Sequence, residues 1–326
     1  LVGVSAAIKA VRTAVERIAP TASRVLISGP NGSGKELAAR CLHNQSERRD
    51  SRFVVANCAR LGSERADVEL FGSDGSGTSR RIVGLFEQAH KGTLYFDEIC
   101  DLPLETQGKI VRAVAEQRFR RVGGNKEVSV DVRVISASSR DLATEISEGR
   151  LREDLYYRLG VVPLSMPPLA DRREDIPPLA RHFVEAVARR TGLGKVKLGD
   201  EVLAAMQGYR WPGNVRQMLN TIENMLIMAP SDRSVPLGLD LLPAEIQNIS
   251  PANSNSDIDA LLALPLRDAR EAFEKSYMTA QLQRFDGNVS QMAGFVGMER
   301  SALHRKLRSL DVTQPDKSSS DGDGKP

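Results

Sequence analysis

Short apolar runs rich in β-branched residues alternate with helical patterns over the first half of the chain. The predicted strands span residues 24–28, 53–56, 93–96, 130–136 and 161–164. Amphipathic spacing between them predicts helices, of which the clearest span residues 5–18, 36–44 and 105–116. This alternation predicts an α/β fold in which a mostly parallel sheet carries helices on both of its faces.

The pattern changes after the Pro167-Pro168 pair, where helical spacing continues with few strand signals. Predicted helices at 176–190, 200–209 and 215–228 indicate a separate helical subdomain. A polar stretch at 249–257 predicts a linker, and a compact helical segment follows it. The predicted organisation is an α/β subdomain (1–165), a helical subdomain (166–248), a linker (249–262), a second helical domain (263–312) and a disordered tail (313–326).

Composition narrows the class of protein without naming a partner. With 27% charged and 41% hydrophobic residues, the chain is neither collagen-like nor a disulfide scaffold nor wholly disordered. The net charge of +3 does not by itself indicate a nucleic-acid binder. No uncharged apolar run reaches the roughly 18 residues of a membrane helix, and no secretory signal opens the chain. We therefore expect a cytoplasmic protein without a membrane partner, and the absence of an initial Met suggests a fragment.

A glycine-rich segment between the first predicted strand and the next helix has the spacing of a P-loop. Glycines allow successive backbone N–H groups to turn toward a phosphate, and the helix N-terminus adds positive potential. The lysine of such a segment reaches the β- and γ-phosphates of a nucleotide, although the usual Ser or Thr after it is a glutamate here. The predicted phosphate-binding residues are Gly29, Asn31, Gly32, Ser33, Gly34, Lys35 and Glu36.

A hydrophobic strand that ends in two acidic residues predicts the second half of the same site. Acids at the carboxyl end of a strand lie where open α/β sheets bind their ligands. Asp97 is predicted to hold Mg²⁺, directly or through water, and Glu98 to polarise the water that attacks ATP. Either motif alone also occurs in structural turns and strand ends, but the two in this order favour a site for ATP and Mg²⁺.

Several longer motifs resemble the NtrC family of bacterial sigma-54 activators over residues 2–312. They include Glu-Leu-Phe-Gly at 69–72, Phe-Glu-Gln-Ala at 86–89, Leu-Arg-Glu-Asp-Leu-Tyr-Tyr-Arg-Leu at 151–159 and Trp-Pro-Gly-Asn-Val-Arg at 211–216. A glutamate after the P-loop lysine is this family's own variant. The resemblance implies an AAA+ P-loop sheet with a helical lid, followed by an all-α Fis-type helix-turn-helix domain.

The resemblance also assigns roles to individual residues. Asn57 matches the asparagine that restrains the catalytic glutamate, so it is expected to contact Glu98. Arg152 and Arg158 match arginines that reach into the nucleotide site of a neighbouring subunit, where a guanidinium stabilises charge on the phosphoryl group. Arginines that act in trans imply a ring, by resemblance a hexamer. Arg216 matches the lid arginine that senses the γ-phosphate.

The chain departs from the family pattern at two places. The loop Gly-Ala-Phe-Thr-Gly-Ala, with which family members contact the sigma factor, is replaced by a shorter Gly/Ser/Thr loop at 73–80 that offers little apolar area. The sensor asparagine after the fourth main strand is Ser139, which has a shorter reach. This combination is most similar to the NtrX group of response regulators, which implies a receiver domain before the chain and a cognate sensor kinase.

The C-terminal domain has the pattern of a helix-turn-helix. Gly297 suits the turn, and Leu303, Leu307 and Leu310 share the core side of a second helix predicted at 299–309. The predicted contacts to phosphates and base edges of promoter or enhancer DNA are Asn288, Arg300, Ser301, His304, Arg305, Lys306 and Arg308. By resemblance, a stripe with Phe273 and Tyr277 on the preceding helix forms a homodimer contact.

Three functions remain open from the sequence. The chain is an ATP-hydrolysing regulator of promoter DNA, or a nucleotide-binding regulator of ordinary promoters with slow hydrolysis, or an AAA+ remodelling machine whose C-terminal helices only dock a protein. The intact Asp97, Glu98, Arg152 and Arg158 favour hydrolysis, whereas the altered loop and Ser139 favour the second function. The sequence leaves open whether RNA polymerase is contacted.

Overall fold

The computed structural model describes residues 1–62, 65–75, 80–194, 196–229, 236–247, 265–285 and 289–310. It divides into two compact units, Leu1–Ile249 and Ser250–Pro326. The predicted tail lies outside the described residues, as does all of the predicted linker.

A parallel sheet forms the centre of the first unit. The strands of this unit are β1 (Val25–Ser28), β2 (Phe53–Asn57), β3 (Thr93–Asp97), β4 (Arg118–Arg120), β5 (Glu127–Ser129), β6 (Arg133–Ser138) and β7 (Val162–Ser165). Five of them pair in the order β2-β3-β6-β1-β7, and each neighbouring pair is parallel. The carboxyl ends of β1, β3 and β6 therefore meet at one edge of the sheet, which confirms the predicted α/β class.

Helices cover both faces of this sheet. In chain order they are α1 (Ala6–Ile18), α2 (Lys35–Asn44), α3 (Ala66–Phe71), α4 (Leu85–Gln88), α5 (Leu104–Glu116), α6 (Leu142–Ser147) and α7 (Glu153–Leu159). Along β3 the side chains alternate between two cores, with Leu94 and Phe96 in one and Tyr95 in the other. The first core also includes side chains of α3, α4, α5 and α7, and the second includes side chains of α1 and α2.

The strand predicted at 130–136 is wrong at its start, because β6 begins at Arg133. An antiparallel hairpin, β4–β5, which was not predicted from the sequence, ends at Ser129, and residues 130–132 link it to β6. The Val130 and Val132 N–H groups donate to the backbone and side-chain oxygens of Gln117 at 2.9 and 2.8 Å. These bonds hold the chain at the end of α5, so it joins the sheet only afterwards.

The helical subdomain of the first unit begins with a 3₁₀ segment at Leu169–Asp175. Its helices are α8 (Ile176–Arg190), α9 (Asp200–Gly208), α10 (Asn214–Met228) and α11 (Ala244–Gln247). Trp211 is 1% exposed in their common core and donates from Nε1 to the Met206 carbonyl. The three helices predicted for this region are thus observed within one or two residues of their predicted bounds.

The second unit is helical throughout the residues that the structure describes. These form α12 (Leu266–Arg284), α13 (Val289–Val296) and α14 (Arg300–Ser309), which enclose a small core. Within the described residues of both units, no helix has the length and apolar character that a membrane crossing requires.

Candidate nucleotide site and candidate DNA-reading helix

The glycines of the P-loop adopt backbone conformations that other residues rarely take. The φ angles of Gly29, Gly32 and Gly34 are 146°, 74° and 104°, and the loop joins β1 to α2. A Cβ atom on Gly29 would lie 2.5 Å from the Met166 carbonyl, and one on Gly32 would lie 2.3 Å from the Gly213 carbonyl. Glycine is therefore required at both positions, as the phosphate-loop prediction expects.

Lys35 links the two predicted halves of the site. Its side chain is 5% exposed, and Nζ donates to the Gly29 carbonyl and pairs with Glu98 Oε1, both at 2.9 Å. An ammonium group so placed is a buried positive charge at the carboxyl ends of the strands. By contrast, Glu36 is exposed and pairs with Arg40 one turn along α2.

Glu98 has an unusual backbone conformation, and Ser139 holds its carboxylate. Its φ and ψ angles, 57° and 62°, are left-handed, a conformation that non-glycine residues adopt mainly where the surrounding structure imposes it. The Ser139 N–H and hydroxyl donate to Glu98 Oε2 at 2.8 and 2.9 Å. Burial would raise the pKa of this carboxyl, but the Ser139 bonds and Lys35 outweigh burial and hold the pKa below its usual value. Glu98 is therefore a carboxylate at neutral pH.

Asp97 ends β3 beside Glu98, in register with Asn57 on β2. The Tyr95 hydroxyl donates to Asp97 Oδ1 at 3.0 Å. Burial raises the pKa of the Asp97 carboxyl, and the bond from Tyr95 offsets part of that shift. No group of three or more His, Cys, Asp or Glu meets within the described residues. One carboxylate still fits Mg²⁺, which is usually held by one or two carboxylates together with substrate phosphates.

The expected contact between Asn57 and Glu98 is not among the hydrogen bonds of the described residues. Asn57 is exposed, and Glu98 bonds to Ser139 and Lys35 instead. The restraint that the resemblance assigns to Asn57 thus comes in this structure from Ser139. A role for Asn57 with bound nucleotide stays a prediction.

The helical subdomain contributes two P-loop contacts that the sequence analysis missed. Arg172 Nη2 donates to the Ser33 carbonyl and Asn214 Nδ2 donates to the Asn31 carbonyl, each at 2.9 Å. Both side chains are 3% exposed. Arg216 is exposed beside the loop, and its Cβ lies 3.1 Å from the place of a Cβ on Gly32. Asn214 belongs to the Trp-Pro-Gly-Asn motif, so the sequence could have indicated its role. Arg172 belongs to none of the motifs.

The two predicted trans arginines lie apart from this site. Arg152 pairs with Asp154 at 2.8 Å, and Arg158 lies further along α7. No hydrogen bond or ion pair of the described residues joins either arginine to the P-loop, Asp97 or Glu98. The buried Gln107 side chain fixes the backbone here, since its Oε1 accepts from the Arg152 N–H at 2.9 Å.

In the second unit, the predicted helix-turn-helix is formed by α13, a turn and α14. Gly297 has a φ of 72°, and the Met298 N–H closes the turn on the Ala293 carbonyl. The three predicted core leucines of α14 are buried. Four of the predicted DNA contacts are exposed on α14 or at its start, namely Arg300, Ser301, His304 and Arg305.

Lys306, also predicted to contact DNA, has a charged partner within the second unit. Its ammonium group lies 2.5 Å from Glu274 on α12, which also accepts from Arg270. Lys306 therefore braces two helices of the unit. Asn288 lies outside the described residues, and the Arg308 side chain is not described. On α12, the exposed rings of Phe273 and Tyr277 stack with centroids 6.2 Å apart.

Family comparisons cover nearly the whole chain. Residues 1–165 match the sigma-54 interaction domain, residues 170–259 match an AAA+ ATPase lid domain, and residues 269–310 match the Fis family of bacterial regulatory proteins. The first match holds although the loop at 73–80 lacks the Phe-Thr pair.

Individual relatives agree with these matches. The chain is 49% identical to the nitrogen assimilation regulatory protein NtrX of Azorhizobium caulinodans, over 96% of this chain and 69% of the relative. It is 37% identical to the DNA-binding transcriptional regulator NtrC of Escherichia coli, over 96% and 70%. The chain spans 64% of the length of a putative NtrX-like response regulator of Rickettsia felis, at 40% identity. It therefore corresponds to about two thirds of such regulators.

Solved structures give the same assignment. Crystal structures of NtrX from Brucella abortus in complex with ADP and with ATP are 49% identical to the chain, with TM-scores of 0.73 and 0.71. Each match covers 96% of this chain, and it covers 70% of the ADP-bound structure and 69% of the ATP-bound structure. The chain belongs to the NtrC family of bacterial transcriptional regulators, with a sigma-54 interaction AAA+ domain and a Fis-type helix-turn-helix, and within that family it is NtrX-like.

Proposed function

We propose that this chain is the ATP-handling and DNA-reading portion of an NtrX-like response regulator. The observation that carries the proposal is the meeting of Lys35, Asp97 and Glu98 beyond the carboxyl ends of β1 and β3, which flank β6 in the sheet. Such a constellation suits phosphoryl transfer, where catalysis rests on positioning and electrostatic stabilisation. The crystal structures of the Brucella abortus relative with ADP and ATP support nucleotide binding here.

In this proposal, the P-loop N–H groups and Lys35 hold the phosphates. Asp97 holds Mg²⁺, directly or through water, and the ion neutralises phosphate charge when bound. Glu98 accepts a proton from the attacking water, for which its lowered pKa keeps it ready at neutral pH. Ser139 orients Glu98, and Arg216 approaches from the lid.

Hydrolysis in this proposal needs a second copy of the chain. Within the described residues, Arg152 pairs with Asp154, and neither Arg152 nor Arg158 forms an ion pair with Glu98 of its own chain, which supports the assignment of both to a neighbouring site. A head-to-tail arrangement that supplies each site from the next subunit closes as a ring, for which we propose a hexamer.

The second unit reads promoter DNA in this proposal. The proposed contacts to DNA are the exposed residues Arg300, Ser301, His304 and Arg305. Asn288 and Arg308 stay in the set on the sequence prediction alone. Dimerisation through the Phe273 and Tyr277 face would present two recognition helices to half-sites one helical turn apart. Phosphorylation of a preceding receiver domain by a sensor kinase, in the cytoplasm, completes the proposed pathway.

A second candidate function is a regulator of ordinary promoters that binds nucleotide and hydrolyses it slowly. The loop at 73–80 favours it, because a Gly/Ser/Thr loop lacks the apolar tip that engages the sigma factor in relatives. Activation of a sigma-54 promoter by the purified protein and ATP would contradict this interpretation of the loop.

ATP turnover separates the two candidates. We expect Glu98→Gln to lower turnover by about 10²-fold or more, because the general base is lost. Arg152→Ala is expected to lower turnover as well. A wild-type rate equal to that of Glu98→Gln would favour the second candidate.

DNA affinity at defined salt tests the reading unit. We expect the double variant Arg300→Ala and Arg305→Ala to bind promoter DNA more weakly, with a salt dependence reduced by about one for each lost phosphate contact. Lys306→Ala is the comparison variant, since it removes one positive charge from α14, and that charge is already paired with Glu274 on α12. Unchanged binding by the double variant would favour a helical unit that only docks a protein.

A further inference from the structure

Three consecutive carbonyl groups of the P-loop accept hydrogen bonds from the helical subdomain. The donors are Asn214 Nδ2 to Asn31 O at 2.9 Å, Val215 N to Gly32 O at 3.0 Å, and Arg172 Nη2 to Ser33 O at 2.9 Å. This set of bonds is called the lid latch below. The latch consists of the side chains of Asn214 and Arg172, which no motif assigned to nucleotide binding, and the backbone N–H of Val215 at the start of α10.

The latch fixes the direction of three peptide planes. In a trans peptide the carbonyl and the following N–H point in opposite directions. Carbonyls held toward the lid therefore turn the N–H groups of residues 32–34 away from it. Of these three, the Ser33 N–H donates to the Pro30 carbonyl at 3.2 Å, so the N–H groups of Gly32 and Gly34 are the ones that can face a phosphate. Fixed amide directions are what a backbone anion site requires.

The latch donors are themselves held firmly. Asn214 has a left-handed φ of 51°, and its Oδ1 accepts from the Leu169 N–H at 2.7 Å. Arg172 interrupts the 3₁₀ segment with φ and ψ angles of −136° and 49°. Because Gly32 approaches the Gly213 carbonyl so closely, the loop and the lid have little room to slide.

We propose that Asn214 and Arg172 are positioning residues for the nucleotide phosphates, acting through the P-loop carbonyls. This inference rests on the proposed nucleotide site but not on hydrolysis. When the lid leaves the loop, the three peptide planes lose their restraint and the phosphate site is no longer preorganised. By linkage, phosphate binding favours the docked lid to the same extent.

Two variants test the latch in the full chain. Asn214→Gly removes the side-chain bonds of this residue and tolerates the left-handed φ. Arg172→Met removes the guanidinium, and the buried Asp175 beside it keeps its bonds from the Ser5 N–H and hydroxyl. We expect each to weaken ADP binding by about tenfold, the effect of one or two lost hydrogen bonds. Arg172→Lys, which keeps a cationic donor, should restore part of the affinity.

Two controls bracket the result. Asn220→Gly changes an exposed residue of the same helix and should leave ADP affinity unchanged, although glycine loosens the helix. Lys35→Ala tests the nucleotide site itself and should weaken ADP binding strongly. If wild-type protein does not bind ADP, or if Lys35→Ala binds it normally, the proposed nucleotide site is wrong, and the latch with it.

Amide hydrogen exchange reports the latch directly, because the Val215 N–H is one of its donors. We expect ADP to slow exchange at Val215 in the wild-type chain, and to slow it less in Asn214→Gly and Arg172→Met. The emission of Trp211, the single tryptophan of the chain, should change with ADP in parallel. Absence of ADP-dependent protection at Val215 in ADP-saturated wild-type protein overturns the latch, even if neither variant folds. Normal ADP affinity in folded Asn214→Gly and Arg172→Met, with impaired binding in Lys35→Ala, also overturns the latch.

Discussion

At the scale of single residues, Glu98 is constrained from three directions. Its backbone is left-handed, its carboxylate accepts two bonds from Ser139, and it pairs with Lys35. The bonds from Ser139 and the pair with Lys35 keep the Glu98 carboxylate charged, and together with the backbone they fix its orientation. The ion pair also has a cost, since Lys35 has to leave Glu98 or be shared with the phosphates when nucleotide binds.

The Lys35–Glu98 pair predicts that Glu98→Gln binds ATP more tightly. The two side chains are 5% and 19% exposed, so their interaction is poorly screened by water. Removing the carboxylate charge frees Lys35 for the phosphates and removes a repulsion. We expect about three- to tenfold tighter binding in a titration with a fluorescent ATP analogue.

Asp101→Asn is the control for this titration. It removes a charge three residues away that pairs with Arg140 rather than with Lys35, and should have a smaller effect. Equal tightening in both variants would show that general repulsion, and not the ion pair, sets the affinity.

Ser139 predicts a shift in the pH dependence of turnover. Glu98 works as a base in its deprotonated form, so activity falls as the pH drops through its pKa. In Ser139→Ala one hydrogen bond to the carboxylate is lost and the pKa rises toward its usual value. The acid limb of the profile should therefore move to higher pH.

Ser138→Ala, a substitution at the adjacent residue, is the control for Ser139→Ala. Ser138 Oγ bonds to the backbone at Arg140 and to Cys100 rather than to Glu98, so the acid limb should stay in place. An acid limb that moves in neither variant would mean that another group controls it.

At the scale of secondary structure, hydrophobic periodicity predicted most of the main helices and strands. Amphipathic helices such as α8 follow from local sequence, because the apolar side decides which face is buried. The β4–β5 hairpin could not be predicted, since its position depends on Gln117 at the end of α5. Spacing likewise places Lys306 on α14 but cannot show that Glu274 pairs with it, and its contact with DNA stays a prediction.

The side chain of Gln107 on α5 bonds to the backbone before α5 and before α7, so its substitution should cause a large loss of stability. Its Nε2 donates to the Leu102 and Arg150 carbonyls and its Oε1 accepts from the Arg152 N–H, all at 2.9 Å. Gln107→Leu leaves these buried groups unpaired, at about 1–3 kcal/mol for each group left without a partner. We expect unfolding in urea to show a loss of about 3 kcal/mol or more.

Gln88→Leu is the matched substitution at an exposed site. Gln88 makes one hydrogen bond, to the Val83 carbonyl, and its replacement should stay within about 0.5 kcal/mol of wild type. Similar stabilities for the two variants would mean that the backbone around Arg152 is held by other contacts.

At the scale of the whole molecule, charge and chemistry are divided between two units. The nucleotide residues lie within Leu1–Ile249 and the exposed Arg300 and Arg305 lie in the second unit. The modest net charge of +3 therefore hides a basic α14, of which Lys306 is used internally. Sequence motifs predicted both sites, but they could not show how the lid contacts the P-loop, because Arg172 lies far from it along the chain.

A mixing experiment tests whether each site is completed by another subunit. Arg152→Ala keeps Glu98, and Glu98→Gln keeps Arg152, so each alone is expected to be inactive. Where an Arg152→Ala subunit receives its arginine from a Glu98→Gln neighbour, an intact site forms. At equal amounts, about a quarter of the interfaces in a head-to-tail ring should recover turnover.

The matched mixture combines Lys35→Ala with Glu98→Gln. Both variants keep their arginines, but neither keeps an intact set of Lys35 and Glu98, which pair within one chain. Random mixing therefore yields no complete site, and turnover should stay at the level of the single variants. Recovery in the first mixture but not in the second requires that Arg152 act in trans. If sedimentation shows mixed rings and the first mixture stays inactive, Arg152 acts within its own subunit or only supports α7.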